Sequence, residues 1–433
     1  METILAQAKQ VAEEAEVFMV SSEETPVQFE TNHLKHIQSK QSGYVALRII
    51  KEGRTGYAIT TEFSDRQNLV DTATETAECG MKAEFELPPQ TLYPSIEVFD
   101  PTVESVTLEE MVKLGSELIN IVRRHTPEVL CDAEVYKGTI STRIINSRGG
   151  ELSYRQTVFS LGIQGQLIRG TDMLFVGESQ SSCHPLSDTQ AIASVVLRQL
   201  DLAREQAPIP TKPLPVIFTP NGVASALILP LMTAFNGKVV LEGASPISQS
   251  LGEQVFDERL SLYDDPTVAY RPQSRPADDE GTPSQRTPLT EQGRVASFIY
   301  DLQTAALANK KSTGNGGRAR GGLPSPTPSA FIITPGGTTF TDMVSDVKEG
   351  LVIEHLMGAE QGNILSGDFS GNVLLGYRIE SGKIVGRVKD TMVSGNVYQL
   401  LSDITAIGSD AKWVGSSVYT PSIYCPELSV ASK

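Results

Sequence analysis

Histidine is scarce in this chain, with only His33, His36, His125, His184 and His355 in 433 residues, and the four cysteines, Cys79, Cys131, Cys183 and Cys425, lie far apart. No CxxC pair or Cys/His cluster exists, so the metal and redox frameworks that such spacing signals are absent, and reduced, mostly buried thiols are expected. Long apolar runs are missing too. A membrane-spanning helix needs about 18 uncharged apolar residues, and the longest run here, near Val223 to Leu231, is short and contains Pro230. The opening METILAQAKQVAEEAEVF has neither the basic start nor the continuous apolar stretch of an export signal, so a cytoplasmic protein is expected. Positive charge is in deficit: 36 Lys plus Arg against 52 Asp plus Glu give a net charge of -16. Such a surface repels phosphate backbones and anionic lipid, which predicts no direct nucleic-acid partner and no membrane partner.

What is present is ordinary for a globular chain, 39% apolar and 20% charged, with 36 Gly and 25 Pro to make turns. This length exceeds what one hydrophobic core usually organises. The pattern predicts an α+β chain of two domains, antiparallel sheets with flanking helices in the N-terminal half and a β-rich C-terminal domain. Met1 to about Glu14 has helical spacing at Ile4, Leu5, Ala8, Val11, Ala12 and Ala15. Alternating segments follow, VFMVSS and VQFETNHLKHIQSKQSGYVALRII, with a hairpin turn at Glu52-Gly53. Helices are predicted over 65–82, over 107–125 with a Thr107/Glu110 capping box, and over 188–205. Between the last two, three β-rich segments read as a meander. The stretch APIPTKPLP marks a linker at 207–215, dividing a first domain over 1–206, subdivided near 88–106, from a second over 216–433. The second opens with the strand PVIFTP and a helix from Asn221 to Phe235.

Each chemical constellation can be examined in turn. His33 and His36, three apart in a β pattern, point to opposite faces, against a shared metal. Cys183-His184 reads as a polar loop, because neighbouring residues rarely converge on one reaction centre. Glu354-His355, in GLVIEHLMG, is an acid/base pair only if a cleft exposes both. The nucleophile elbow GxSxG is absent, GDFSG having the wrong spacing, and no GxxxxGK[ST] phosphate loop occurs. STGNGG is a backbone anion nest or, more simply, a mobile turn. Asp264-Asp265, Asp278-Asp279-Glu280 and Asp368 read by default as exposed loop charge. The polar stretch from Tyr270 to Gly293 is too long for a simple connection and reads as a functional or interface loop.

In the second half, DDEGTPSQRTPLTEQG (Asp278 to Gly293), KSTGNGGR (Lys311 to Arg318), GLVIEHLMG (Gly350 to Gly358), LSGDFSGN (Leu365 to Asn372) and VSGNVYQLL (Val393 to Leu401) resemble the TldD/PmbA family in content and order. The strand pair around LKHIQSKQSGYVALRI and the INSRGG turn agree. The resemblance implies a relative of subunits historically called modulators of DNA gyrase and understood as parts of a cytosolic metalloprotease acting on peptides and poorly folded proteins. It also implies a branch. Catalytic members carry HExxxH on the helix opening the second domain, with a late Cys completing the zinc site and the Glu serving as general base. The matching segment here, NGVASALILPLMTAFNGKVV (Asn221 to Val240), holds no His, Glu, Asp or Cys. Cys425, in SIYCPELSV, falls beyond the family's Cys position and reads as a buried thiol.

The chain therefore resembles the PmbA/TldE-like branch, which implies no cofactor of its own, zinc only in an HExxxH-bearing partner, and a heterodimer with that partner or a homodimer. A peptide or unfolded protein is the implied substrate. Residues for partner or substrate contact are expected in the two long loops, at Arg286, Thr313, Gly314, Asn315 and Gly316. The rivals are a stand-alone peptidase using Glu354, His355 or Asp368, and a protein-binding modulator, of DNA gyrase for instance, without enzymatic activity.

Overall fold

The computed structural model describes residues 1–432, apart from the side chain of Arg320; Lys433, the last residue of the expected second domain, lies outside the described residues. The first half is built on one antiparallel sheet of seven strands: β1 (Glu14–Glu30), β2 (His33–Ile37), β3 (Lys40–Lys51), β4 (Arg54–Thr60), β5 (Leu130–Asn146), β6 (Glu151–Arg169) and β7 (Asp172–Ser182). The order runs β4-β3-β1-β5-β6-β7, with β2 beside β1. The Glu52-Gly53 hairpin forms as expected, both residues at positive φ (50° and 70°), the conformation a two-residue turn needs to match strand twist.

Side chains alternate across the sheet. On β1 the odd positions Ala15, Val17, Val27 and Phe29 enter apolar cores beneath the helices α1 (Glu2–Ala8), α2 (Arg66–Glu78), α3 (Leu108–His125) and α4 (Thr189–Leu202). The even positions Glu16, Phe18 and Val20 face away from them. The first helix is shorter than its apolar spacing predicts, because residues from Glu14 onward pair in β1 and Ala15 is a strand residue. On α3 the capping box forms as expected: Glu110 N donates to Thr107 Oγ1 (3.2 Å) and Thr107 N to Glu110 Oε2 (2.7 Å). Arg123, Arg124 and His125 complement the dipole at its other end. Gly115 lets this helix approach the sheet, since a Cβ there would lie 2.3 Å from the Phe29 ring.

The second half centres on five strands: β8 (Lys212–Phe218), β9 (Glu349–Met357), β10 (Asp368–Glu380), β11 (Thr391–Asn396) and β12 (Ile423–Ser432). Pairing runs β9-β8-β12-β11-β10, and β9 also pairs β10, so the sheet closes on itself. Phe218, Leu351, Ile353, Phe369, Val393 and Leu428 fill the inside, while Ile217, Val352, Tyr377 and Tyr424 join the core under α3 and α4. The α+β class with a β-rich second half is as expected. Two local readings are corrected. The linker over 207–215 is half strand, since Lys212 to Pro215 pair in β8, and Ala207 N donates to Arg387 O (2.9 Å). The expected helix over 221–235 is two, α5 (Pro220–Ala226) and α6 (Ile228–Ala234), because Pro230 has no N–H for the carbonyl a turn earlier. Among the described residues no helix is long and apolar enough to cross a membrane.

Candidate functional site

The α5–α6 segment opens where Thr219 caps α5 by accepting from Gly222 N (3.3 Å) and Pro220 occupies the first turn. The helix lies close on β9: a Cβ on Gly222 would sit 2.2 Å from the Ile353 carbonyl oxygen. Val223, Ala226, Leu227, Ile228 and Leu231 enter the core. The buried polar side chain of this helix, Asn221, donates to Glu354 Oε1 (3.4 Å), which also accepts from Gln199 on α4 (3.3 Å). Glu354 is 7% exposed. A carboxylate held by two amides in that setting fixes α4, α5 and β9 together and is poorly placed to accept a substrate proton.

His355, next along β9, occupies a register irregularity. Burial lowers its imidazole pKa, against the attraction of Glu354 and Glu178 and with the help of Lys412, which favours the neutral ring. Asp368 stands apart, seven residues along β10 from His355's partner Leu375. It is exposed, accepts from Ser366 Oγ (2.7 Å) and Asn396 Nδ2 (2.8 Å), and is held below the usual carboxylate range by Asn396 first and Ser366 second. The structure thus sets Glu354 and His355 side by side and leaves Asp368 elsewhere. Among the described residues no group of three His, Cys, Asp or Glu side chains is arranged to hold a metal ion.

The other candidates resolve simply. His33 and His36 are exposed on β2. Cys183 is buried, with its thiol pushed up to about 12 by burial, while His184 pairs with Asp100 (2.5 Å), so the two form no catalytic couple. Cys425 is fully buried, and burial holds its thiol at about 12.

The acidic loop residues overturn the reading of exposed charge. Asp264, Asp278 and Glu280 are at most 1% exposed. They belong to a network that joins the even-numbered face of the first sheet to the loops of the second half. Glu16 on β1 stands directly across from Arg48 on β3. Arg48 bonds Glu16 (3.1 Å) and Glu280 (2.6 Å), and Glu16 also pairs with Arg318. Arg318 N and Nε reach the carboxylate (2.8 Å) and carbonyl (3.0 Å) of Asp279, whose other oxygen takes Arg275 (3.1 Å). Asp278 accepts backbone N–H bonds from Glu280, Thr282 and Gly316. Glu280 also accepts from Leu302 N (2.7 Å), and Asp264 from Asn315 and Ser329.

Burial dominates the electrostatics. It opposes the charge on Arg48, yet Glu16 and Glu280 outweigh it and hold the guanidinium above its ordinary range. Asp278 is pushed up to about 8, by burial first and the charge of Glu280 second, against Arg275 and the N–H groups of Gly316 and Thr282. Of the loop residues expected at an interface, Thr313, Gly314, Asn315 and Gly316 are buried around this network, and Arg286 alone is exposed, stacked 3.5 Å over the Tyr263 ring. STGNGG is accordingly a packed segment. The available sequence signal was the pair Glu16 and Arg48, opposite charges set inside otherwise apolar strands on the face opposite the helix-covered core.

Two family models match, the PmbA/TldA metallopeptidase C-terminal domain over residues 211–432 and domain 1 over residues 15–79. The chain belongs to the PmbA/TldD family. An uncharacterized protein of Methanocaldococcus jannaschii is 28% identical over 90% of each chain. The metalloprotease PmbA of Escherichia coli O157:H7 is 23% identical over 100% of this chain and 95% of that one. The crystal structure of TldE from Thermococcus kodakarensis superposes over 100% of both chains with a TM-score of 0.89 at 22% identity, which establishes the shared fold. Within this PmbA/TldD fold the residues quoted for the resemblance divide in two: DDEG and TGNGGR build the buried network, and GLVIEHLMG is the strand under α5. The metal that the family description implies does not fit the α5–α6 segment, whose buried polar group is an amide already bonded to Glu354.

Proposed function

We propose that this chain is the metal-free, non-catalytic subunit of a TldD/TldE-type cytosolic metalloprotease that processes peptides or unfolded proteins. Zinc and the general base come from a separate HExxxH-bearing chain, with which this one forms a heterodimer. The observation that carries the reading is the α5–α6 segment, which presents Asn221, Gly222, Ala224 and Ser225 over β9 and no side chain of the kind that ligates zinc. Kinship with proteins named metalloprotease PmbA supports the substrate class.

The test compares the isolated chain with the same chain mixed with the HExxxH-bearing relative from its own genome. Zinc content, sedimentation and cleavage of an unfolded casein substrate are followed in each. The expected result is no stoichiometric zinc and no turnover alone, and a mixed dimer whose cleavage exceeds that of the relative by itself. Stoichiometric zinc with robust turnover by the isolated chain would refute the reading and favour the stand-alone peptidase.

A further inference from the structure

Beside the buried network, the same face of the first sheet is left partly uncovered and forms the floor of a cleft of about 310 Å³. The floor follows from strand register. Tyr44, Val20, Thr142 and Tyr154 stand opposite one another across β3, β1, β5 and β6, with Phe18 in the row on one side and Ile140 and Gln156 in the row on the other. The walls are the loop segments Pro272–Arg275 and Gly317–Ala319, with Thr327 to Ser329. Gln156 Nε2 donates to the carbonyls of Pro272 and Ser274 (3.0 Å each) and holds the first wall to the sheet. Gln273, Ala319 and Thr327 form an exposed rim.

The chemistry of the lining selects the occupant. Both arginines on the walls are already paired, Arg275 with Asp279 and Arg318 with Glu16, so among the described side chains lining the cleft no cation is free to hold a phosphate. Both oxygens of Asp279 are engaged by Arg275 and by Arg318 N, so no carboxylate is free for a metal or an amine. What remains is apolar surface at the half-buried Val20 and Ile140, over a nearly buried Phe18, flanked by neutral hydroxyls. Burial pushes Tyr44 and Tyr154 up to about 12, with Asp279 adding to it, and both keep their protons at neutral pH. Ser274, fully buried in the wall, has a hydroxyl without a partner among the described residues. An apolar floor between neutral donors and acceptors matches one apolar side chain flanked by two peptide units, and the volume lies at the small end of ligand pockets.

We propose that this cleft binds a short, uncharged, extended stretch of polypeptide, with an apolar side chain on Val20 and Ile140 and its amides against Tyr44 and Tyr154. That the occupant is substrate rests on the subunit reading above; that the cleft takes a peptide does not. The experiment therefore uses the full chain without any partner. Fluorescence anisotropy follows Gly-Ser-Leu-Ser-Gly-amide carrying an uncharged dye on its N-terminal nitrogen, with wild type compared to the rim variants Thr327→Trp and Gln273→Trp. Both side chains are exposed, and circular dichroism checks that each variant melts as wild type does. Saturable binding that either rim tryptophan weakens by about tenfold or more is expected. Absence of saturable binding, binding indifferent to both tryptophans, or equal displacement by labelled oligothymidine overturns the cleft, and none of these outcomes bears on whether the chain lacks zinc.

Discussion

Replacing Arg48 with Met tests whether the buried network holds the two halves together. Arg48 is 3% exposed and its two carboxylate partners, Glu16 and Glu280, are 0% exposed. Methionine keeps most of the volume and removes the charge. Glu16 would retain Arg318 and Glu280 would retain the Leu302 N–H, so neither carboxylate is left wholly alone, but both lose their shared cation in a dry site. Removing one partner of a buried pair costs about 3–5 kcal/mol, chiefly through the charge left behind. The matched control is Arg155→Met, whose partner Glu104 is 41% exposed and where an exposed pair contributes about 0–1 kcal/mol. Urea denaturation, with hydrogen exchange on β1 and β3, should show the first variant losing most of that range and the second almost nothing. The combination Arg48→Met, Glu280→Gln should recover much of the loss, because it removes the carboxylate that Arg48 alone neutralised and leaves Glu16 paired with Arg318. If Arg48→Met costs no more than Arg155→Met, the network is not a clamp and the reasoning fails.

The other two expectations concern titration and thiols. Asp278 has its folded pKa raised to about 8 from an ordinary carboxylate value of 3.8, so between these values the folded protein binds more protons than the unfolded one, and its contribution to stability is lost as pH rises through that window. Chemical denaturation from pH 5 to 9 should show that decline, and Asp278→Asn should flatten it; an unchanged slope in the variant would refute the assignment. Burial raises Cys131 to about 11 and Cys183 and Cys425 to about 12, while Cys79 is exposed. Iodoacetamide at pH 7.5 should therefore add one group to the native protein, on Cys79, and mass spectrometry finding adducts on Cys425 would contradict its burial.

Local pattern carried far in the first half. The capping box on α3, the Glu52-Gly53 hairpin and the long meander were readable because each is decided within a few residues of sequence. The errors came where distant segments decide. Residues 9–15 have helical spacing, but Ala15 is claimed by pairing with Ile49 and by Ser147 N, which donates to its carbonyl. Lys212 to Pro215 look like a linker, yet β12 supplies partners more than two hundred residues away. The acidic loop looked exposed because Arg48, the countercharge of Glu280, sits over two hundred residues upstream, where no periodicity within the loop registers it. The lack of zinc-type ligands in Asn221 to Val240 was readable, because ligand identity is a property of the residues themselves; that Asn221 is bonded to Glu354 was not.

The buried network and the α5 segment are free to vary independently. Glu16, Arg48, Asp278, Asp279, Glu280 and Arg318 hold the face of the first sheet to the loops of the second half, and none of them bonds Glu354, Asn221 or Gln199 in the hydrogen bonds among the described residues. The clamp and the α5 segment are therefore separate sets of interactions, and changes at separate sites add with little coupling. Exchanges on α5 therefore carry a cost confined to that helix, β9 and the Gln199–Glu354–Asn221 contacts. DDEG and TGNGGR thus serve the architecture of the PmbA/TldD fold, joining the first sheet to the loops of the second half.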